Sequence, residues 1–259
     1  MNQTESRIPY PLTDKLEIRR RLNIDREWSL YALADLDDGM FEHCRWWALD
    51  ESLALLFDAL EIRPMFVLGD AESTRELLAV LPVSAGYLNL KPCQMEAAEG
   101  IYRYREVHQM HRMFLEDLRL PAGTAEAIGA GDLEQVERLY ASGDGGGIAF
   151  APFQLDSGFF YGIRKGAELV SVAGVHVVSR NEGVAGVGNI FTRADCRGQG
   201  LAQIVTSAVA MALREAGIQT IGLNVEHTNT AAIRVYERAG FRRHFSYYEG
   251  MADRVLAKL

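Results

Sequence analysis

Thr192-Arg193-Ala194-Asp195-Cys196-Arg197-Gly198-Gln199-Gly200-Leu201-Ala202 is the stretch that decides how this chain folds. The apolar run Val184–Thr192 before it predicts a strand, and the spacing over residues 200–216 after it predicts a helix. A glycine-rich turn that opens a helix aims unpaired backbone N–H groups, at the positive end of the helix dipole, toward one point. That is an anion site, best suited to a phosphate or pyrophosphate, and Arg197 adds a cation. The plainer alternative is a strand-to-helix turn that merely needs glycine. Two nucleotide motifs are excluded. Gln203 fills the third glycine position of a dinucleotide fingerprint, and no Lys-Ser/Thr pair follows to make a P-loop.

Working outward, residues 159–164 and Glu168–Ser179 predict a hairpin around Lys165-Gly166, with valines at 170, 172, 175, 177 and 178. The helix over 200–216 stops at Gly217, a short apolar strand follows over 218–225, and a second helix, Thr230–Ala239, stops at Gly240. Residues 241–249 form a last aromatic strand. The order β-β-β-α-β-α-β puts antiparallel strands before β-α-β units, so the expected class is α/β with one mixed sheet and helices on its faces.

Two motifs in this half carry a resemblance. Arg197, Gly200 and Ala202 match the acyl-CoA pyrophosphate motif of the GCN5-related N-acetyltransferase (GNAT) superfamily. Asn229, Ala232, Tyr236, Gly240 and Phe241 resemble that family's next motif, at the separation the family shows. The likeness covers residues 126–259 and implies a catalytic N-acetyltransferase domain there. It further implies direct transfer of an acetyl or other acyl group from acetyl-CoA, the co-substrate, to the amine of an unidentified acceptor. The implied cofactor contacts are the backbone of Ile190, Phe191 and Thr192, the turn Arg197, Gly198, Gln199, Gly200, Leu201 and Ala202, and Asn229, Ala232 and Tyr236. The Tyr236 hydroxyl is the implied proton donor to the leaving thiolate. Asn229 also suits a helix N-cap, and Tyr236, three residues after Ile233, also suits a core aromatic. Cys196 is a bystander under a direct-transfer mechanism.

An amine with a pKa near ~10 must lose a proton before it attacks. Many relatives in the superfamily carry a glutamate on the strand that here reads Val184–Thr192, which has no carboxylate. The candidates for the base are Glu226 and His227 after the next strand, His176 on the neighbouring strand, or a water held by Asn189. The missing carboxylate keeps open a noncatalytic acyl-CoA-binding or sensing protein on the same scaffold. An aminoacyl-tRNA-dependent transferase and a plain interaction module fit the two cofactor motifs less well.

Residues 1–125 resemble, loosely, the degenerate leading domain of two-part GNAT proteins. Here 28–34 alternates like a strand, 46–60 has helical spacing, 64–69 and 87–90 predict strands, and 72–81 predicts a helix. Residues 103–118 suit a helix or an extended segment. Pro121-Ala122-Gly123-Thr124 breaks the pattern, 132–140 predicts a short helix, and residues 142–147 predict a flexible connection. His108 and His111 lack a third ligand, so no metal is expected.

Composition sets the outer limits. The chain has 259 residues, 48% of them hydrophobic and 24% charged, which is ordinary for a globular protein. Residues 1–125 hold 14 Lys and Arg against 21 Asp and Glu, most of the net charge of −8. An acidic front half disfavours nucleic acid and anionic membranes as partners. The three widely spaced cysteines form no zinc or disulfide pattern, and MNQTESRIPYPLTDKLEIRR has no apolar core for a secretory signal. The expected setting is the cytoplasm, as a monomer or homodimer.

Overall fold

A computed structural model describes residues 8–143 and 150–255. The glycine run expected as a flexible connection lies, from Asp144 on, outside the described residues. In chain order the elements are β1 (Tyr10–Pro11), α1 (Lys15–Leu22), α2 (Leu30–Ala34), β2 (Cys44–Leu49), β3 (Ser52–Phe57), β4 (Pro64–Leu68), α3 (Ala71–Val80), β5 (Ala85–Leu90), α4 (Met95–Glu99), β6 (Tyr102–Tyr104) and β7 (His108–Leu115). Then come β8 (Glu126–Ile128), α5 (Leu133–Ala141), β9 (Phe160–Lys165), β10 (Glu168–Ser179), β11 (Val184–Thr192), α6 (Leu201–Glu215), β12 (Thr220–Glu226), α7 (Thr230–Ala239) and β13 (Phe241–Arg254). The chain is therefore α/β with mixed sheets, as the element order predicts.

The chain divides into two compact units. Unit 1 is Met1–Met110 with Ser246–Leu259, and unit 2 is His111–Phe245. The sequence reading drew a single boundary at 125/126. A single cut has no way to express a last strand whose first residues belong to one unit and whose remainder belongs to the other.

In unit 2, β8, β9, β10 and β11 are antiparallel neighbours, and β12 joins β11 in parallel after the crossover through α6. The core under α6 and α7 includes Val205, Val209, Leu213, Ile233 and Phe241, all buried against Val172, Val187 and Leu223. Gly217 and Gly240 end their helices with φ of 83° and 104°, a left-handed conformation that costs glycine nothing.

Unit 1 repeats the plan. There β1, β2, β3 and β4 are antiparallel neighbours, and β5 joins β4 in parallel after α3. Residues 248–253 then pair with β5. Two sequence readings fail here. Residues 28–34 are not a strand: Leu30–Ala34 is a short helix with four of its five residues buried, and a helix buried nearly all round shows no 3.6-residue period. Residues 46–60 are not a helix: β2 and β3 form a hairpin across Asp50-Glu51, with Asp50 at φ 48°. β3 is buried on both faces, so the alternation that marks a half-exposed strand is missing. Residues 103–118 take the extended alternative in β6 and β7. Among the described residues no helix is long and apolar enough to cross a membrane.

Candidate active site

The parallel pairing of β11 with β12 runs from Val184 and Thr220 to Val187 and Leu223 and then stops. Beyond it the two strands part, which leaves one edge of β11 without a ladder partner from Gly188 onward. Paired irregularities account for the parting. Asn189 and Ile190 on β11 face only Ala173 on β10, and beyond the next two residue pairs of the ladder His176 on β10 is the extra residue. A bulge bends its strand and sharpens the twist. Asn189 sits at φ 54°, in the left-handed region.

The two bulges are joined. The Asn189 N–H donates to His176 Nε2 at 3.1 Å. The Asn189 side-chain amide donates to Gln154 Oε1 at 2.9 Å and to the Val175 carbonyl at 3.1 Å, and the Asn189 carbonyl accepts from the Tyr140 hydroxyl at 2.8 Å. Oδ1 of Asn189 takes no bond among the described residues. Gly188 is required by the same contact: a Cβ there would lie 2.1 Å from His176 Nε2. Burial pushes His176 down to about 4, so the ring is neutral near pH 7 and its Nε2 lone pair is already engaged. Sequence reading named Asn189 and His176 but missed Gln154 and Tyr140, which hold them. The Gly188-Asn189 pair inside a strand was the available signal for a bulge.

The turn after β11 is open. Gly198 and Gly200 adopt φ of 76° and 79°, and a Cβ at either would touch nothing within 4 Å. Glycine is thus needed for the backbone angle rather than for space. Gly200 is the N-cap of α6, no side chain caps the helix, and its first turn holds no acidic residue. The N–H groups of Gly198 through Gln203 have no hydrogen-bond partner among the described residues. Around them Arg197 donates to the Thr192 carbonyl at 3.1 Å, and its guanidinium lies 5.9 Å from the Phe191 ring centre. Gln199 accepts from Lys165 Nζ at 2.8 Å. Thr192 Oγ1 lies 2.8 Å from Ser171 Oγ, Ile190, Leu201 and Ala202 are half-buried, and Cys196 is buried.

On α7, Asn229 Oδ1 accepts from the Ala232 N–H at 3.1 Å and so caps the helix. Tyr236 packs in the core beside Ile233. Its hydroxyl makes no hydrogen bond among the described residues. Burial of the ring pushes Tyr236 up to about 12. Glu226 and His227 are exposed at the end of β12, and each engages a neighbour. Burial, with Arg243 and His227 beside it, lowers the pKa of His111. Among the described residues no group of three or more His, Cys, Asp or Glu could hold a metal ion.

Residues 131–241 match the acetyltransferase (GNAT) family model. A mycothiol acetyltransferase of Geodermatophilus obscurus is 39% identical over 67 residues, which are 25% of this chain and 22% of that protein. Another, from Thermobispora bispora, is 36% identical over 91 residues, 34% of this chain and 30% of that protein. The chain therefore spans less than a third of the curated relatives it matches. The GCN5-related N-acetyltransferase of Kribbella flavida shares the fold at a TM-score of 0.61, with 18% identity over 88% of this chain and 94% of that one. The open glycine turn and the parted strands beside it lie within residues 131–241, the span that matches the acetyltransferase (GNAT) family.

Proposed function

We propose that this protein transfers an acetyl group from acetyl-CoA to the amine of a small acceptor, directly and without a covalent enzyme intermediate. The observation that carries the reading is the run of unpartnered N–H groups from Gly198 to Gln203 at the uncapped start of α6. They suit a pyrophosphate. The free edge of β11 would take the pantetheine arm and the thioester carbonyl, with backbone N–H groups near Ile190, Phe191 and Thr192 polarising it. Holding both substrates there supplies proximity.

Tyr236 is the proposed donor to the departing sulfur. A phenol at about 12 remains protonated at any working pH. Full transfer to a thiolate whose conjugate acid lies near ~8.5 is uphill by about 5 kcal/mol, so the hydroxyl acts by hydrogen-bonding the developing charge, and solvent completes the protonation. His176 is too weak a base at about 4, and its Nε2 is engaged. Asn189 Oδ1, an open acceptor beside the free strand edge, is proposed to hold the amine or a water that relays its proton. The catalytic domain, read from sequence as 126–259, is proposed to lie in unit 2, His111–Phe245. Three free cysteines suit the reducing cytoplasm.

The test is release of free CoA thiol from acetyl-CoA across a panel of amines. Turnover above the uncatalysed rate supports the enzyme. Tight acetyl-CoA binding with no turnover for any amine supports the second reading, an acyl-CoA sensor, which the absence of a carboxylate on β11 favours.

A further inference from the structure

Gln154 lies on the 3-10 turn Pro152–Ser157, ahead of β9, and is only 8% exposed. A buried amide needs its polar atoms matched, because an unpaired one loses its hydration and gains nothing. The local need is met by one bond: Gln154 Oε1 accepts the Ala151 N–H at 3.0 Å and so caps its own turn. The other bonds leave the turn. Oε1 also accepts from Asn189 Nδ2 at 2.9 Å, and Nε2 donates to the His176 carbonyl at 3.1 Å. Those two partners are the irregular positions of β11 and β10. One side chain therefore fastens both bulges.

The same bonds fix a direction. The oxygen and nitrogen of an amide are alike in shape, and only their partners tell them apart. A backbone N–H donates and a backbone carbonyl accepts, so Ala151 and His176 leave Gln154 a single orientation. Gln154 Oε1 then requires a donor from Asn189, and the Val175 carbonyl requires the same donor at 3.1 Å. If the Asn189 amide turned over, its oxygen would face two acceptors. The Asn189 backbone N–H and carbonyl are already committed to His176 and Tyr140. What remains is Oδ1. An amide oxygen accepts a hydrogen bond from an amine N–H and leaves the amine lone pair free. An amide nitrogen in its place would donate to that lone pair and hold back the attack.

We propose that Gln154 is a positioning residue for acetyl transfer: it holds the Asn189 amide with its oxygen presented to the acceptor amine. This inference rests on the acetyl-transfer reading of unit 2, with Asn189 as the ligand of the amine.

The experiment compares the wild type, Gln154→Leu and Gln154→Glu in release of free CoA thiol with the most active amine of the panel, and in isothermal titration with acetyl-CoA. Gln154→Leu should lower kcat/KM for the amine at least about tenfold and leave the acetyl-CoA Kd within about twofold. Gln154→Glu keeps an acceptor for Ala151 and Asn189 but sets a carboxylate oxygen against the His176 carbonyl. Protonation restores the missing donor, and burial raises the pKa of a carboxyl group. The kcat/KM of Gln154→Glu, divided by that of the wild type at each pH, should therefore rise about threefold or more from pH ~8 to pH ~6. The titratable groups of the network, His176 on β10 and Tyr140 on α5, stay uncharged over that range, since burial pushes His176 down to about 4 and Tyr140 up. A packing role alone predicts a ratio that does not change with pH. Should Gln154→Leu fail to fold by circular dichroism, the isosteric Gln154→Glu decides. A flat ratio in Gln154→Glu, or an unchanged kcat/KM in folded Gln154→Leu, overturns the proposal and leaves the acetyl-transfer reading intact. A wild type that turns over no amine removes both readings together.

Discussion

Both α3 and α6 follow the last strand of an antiparallel run, and both lead into a strand that returns parallel to it. Their first turns are finished differently. At α3 the N-cap is Asp70, whose carboxylate accepts the Ser73 N–H at 2.8 Å, and Glu72 adds a second negative charge. At α6 the N-cap is Gly200 and the first turn is neutral and uncapped. Unit 1 thus supplies its own anion, covalently, at the place where unit 2 leaves room for one. The opening between the strands differs as well. At the ends of β4 and β5 a cavity of about 310 Å³ is lined by Trp28, Ser52, Gly69 and Lys91, among others, and the Lys91 ammonium lies over the Trp28 ring and pairs with Asp25. One plan is finished in two ways: the start of α3 is satisfied from within, and the N–H groups at the start of α6 have no partner among the described residues.

The largest expected contrast between the units is in their response to pH. His176 in unit 2 is held at about 4 against an ordinary 6.5. Between those limits the unfolded chain binds more protons, so this stability is complete above pH ~6.5 and is lost as pH falls toward about 4, by up to roughly 3 kcal/mol. Asp35 in unit 1 is raised by burial to about 7 from 3.8. There the folded chain binds more protons, so stability is complete below pH ~3.8 and is lost as pH rises through about 7, by up to roughly 4 kcal/mol. All three tryptophans, Trp28, Trp46 and Trp47, belong to unit 1, so their fluorescence follows that unit alone. Denaturant titrations should show Asp35→Asn flattening the neutral-side loss in the fluorescence signal, and His176→Gln flattening the acid-side loss seen by circular dichroism. An unchanged slope in Asp35→Asn would remove the assignment for unit 1.

Next in size is the exchange of caps. Gly200→Asp gives α6 the carboxylate that α3 has, and it should weaken CoA binding at least a hundredfold, about 2.7 kcal/mol. Aspartate tolerates positive φ better than most residues, so the loss reports charge at the site more than collapse of the turn. The same titration should give one CoA per wild-type chain; two would mean that the Asp70 cap does not close unit 1.

Tyr236→Phe should lower kcat about tenfold or more while leaving the acetyl-CoA affinity within about twofold, because its hydroxyl acts on charge that develops only in the transition state. A parental rate with chemistry limiting would return Tyr236 to the core. The smallest effect is Asp70→Ala, which should cost unit 1 about 1 kcal/mol through the lost cap, read by tryptophan fluorescence, with no change in CoA affinity.

Much of unit 2 was legible because its elements are punctuated. Glu168–Ser179, Val184–Thr192 and Thr230–Ala239 have the same limits in sequence and structure, helped by Gly183 and Gly240, which sit beside them at angles other residues avoid. Unit 1 was misread where burial erased the pattern, at Leu30–Ala34 and at Ser52–Phe57. The open glycine turn was legible because six adjacent residues create it. The network around Asn189 was not, because Tyr140, Gln154 and His176 come from separate elements and meet only after the strands have bulged.

The shared last strand bears on synthesis. Residues 248–253 pair with β5 and complete the sheet of unit 1, yet a ribosome makes them only after the whole of unit 2 has emerged. The first half of the chain therefore waits, with the β5 edge unpaired, while the second half folds. An unpaired β edge is a template for association with other chains. Until residues 248–253 arrive, the β5 edge of unit 1 is open to pairing of that kind.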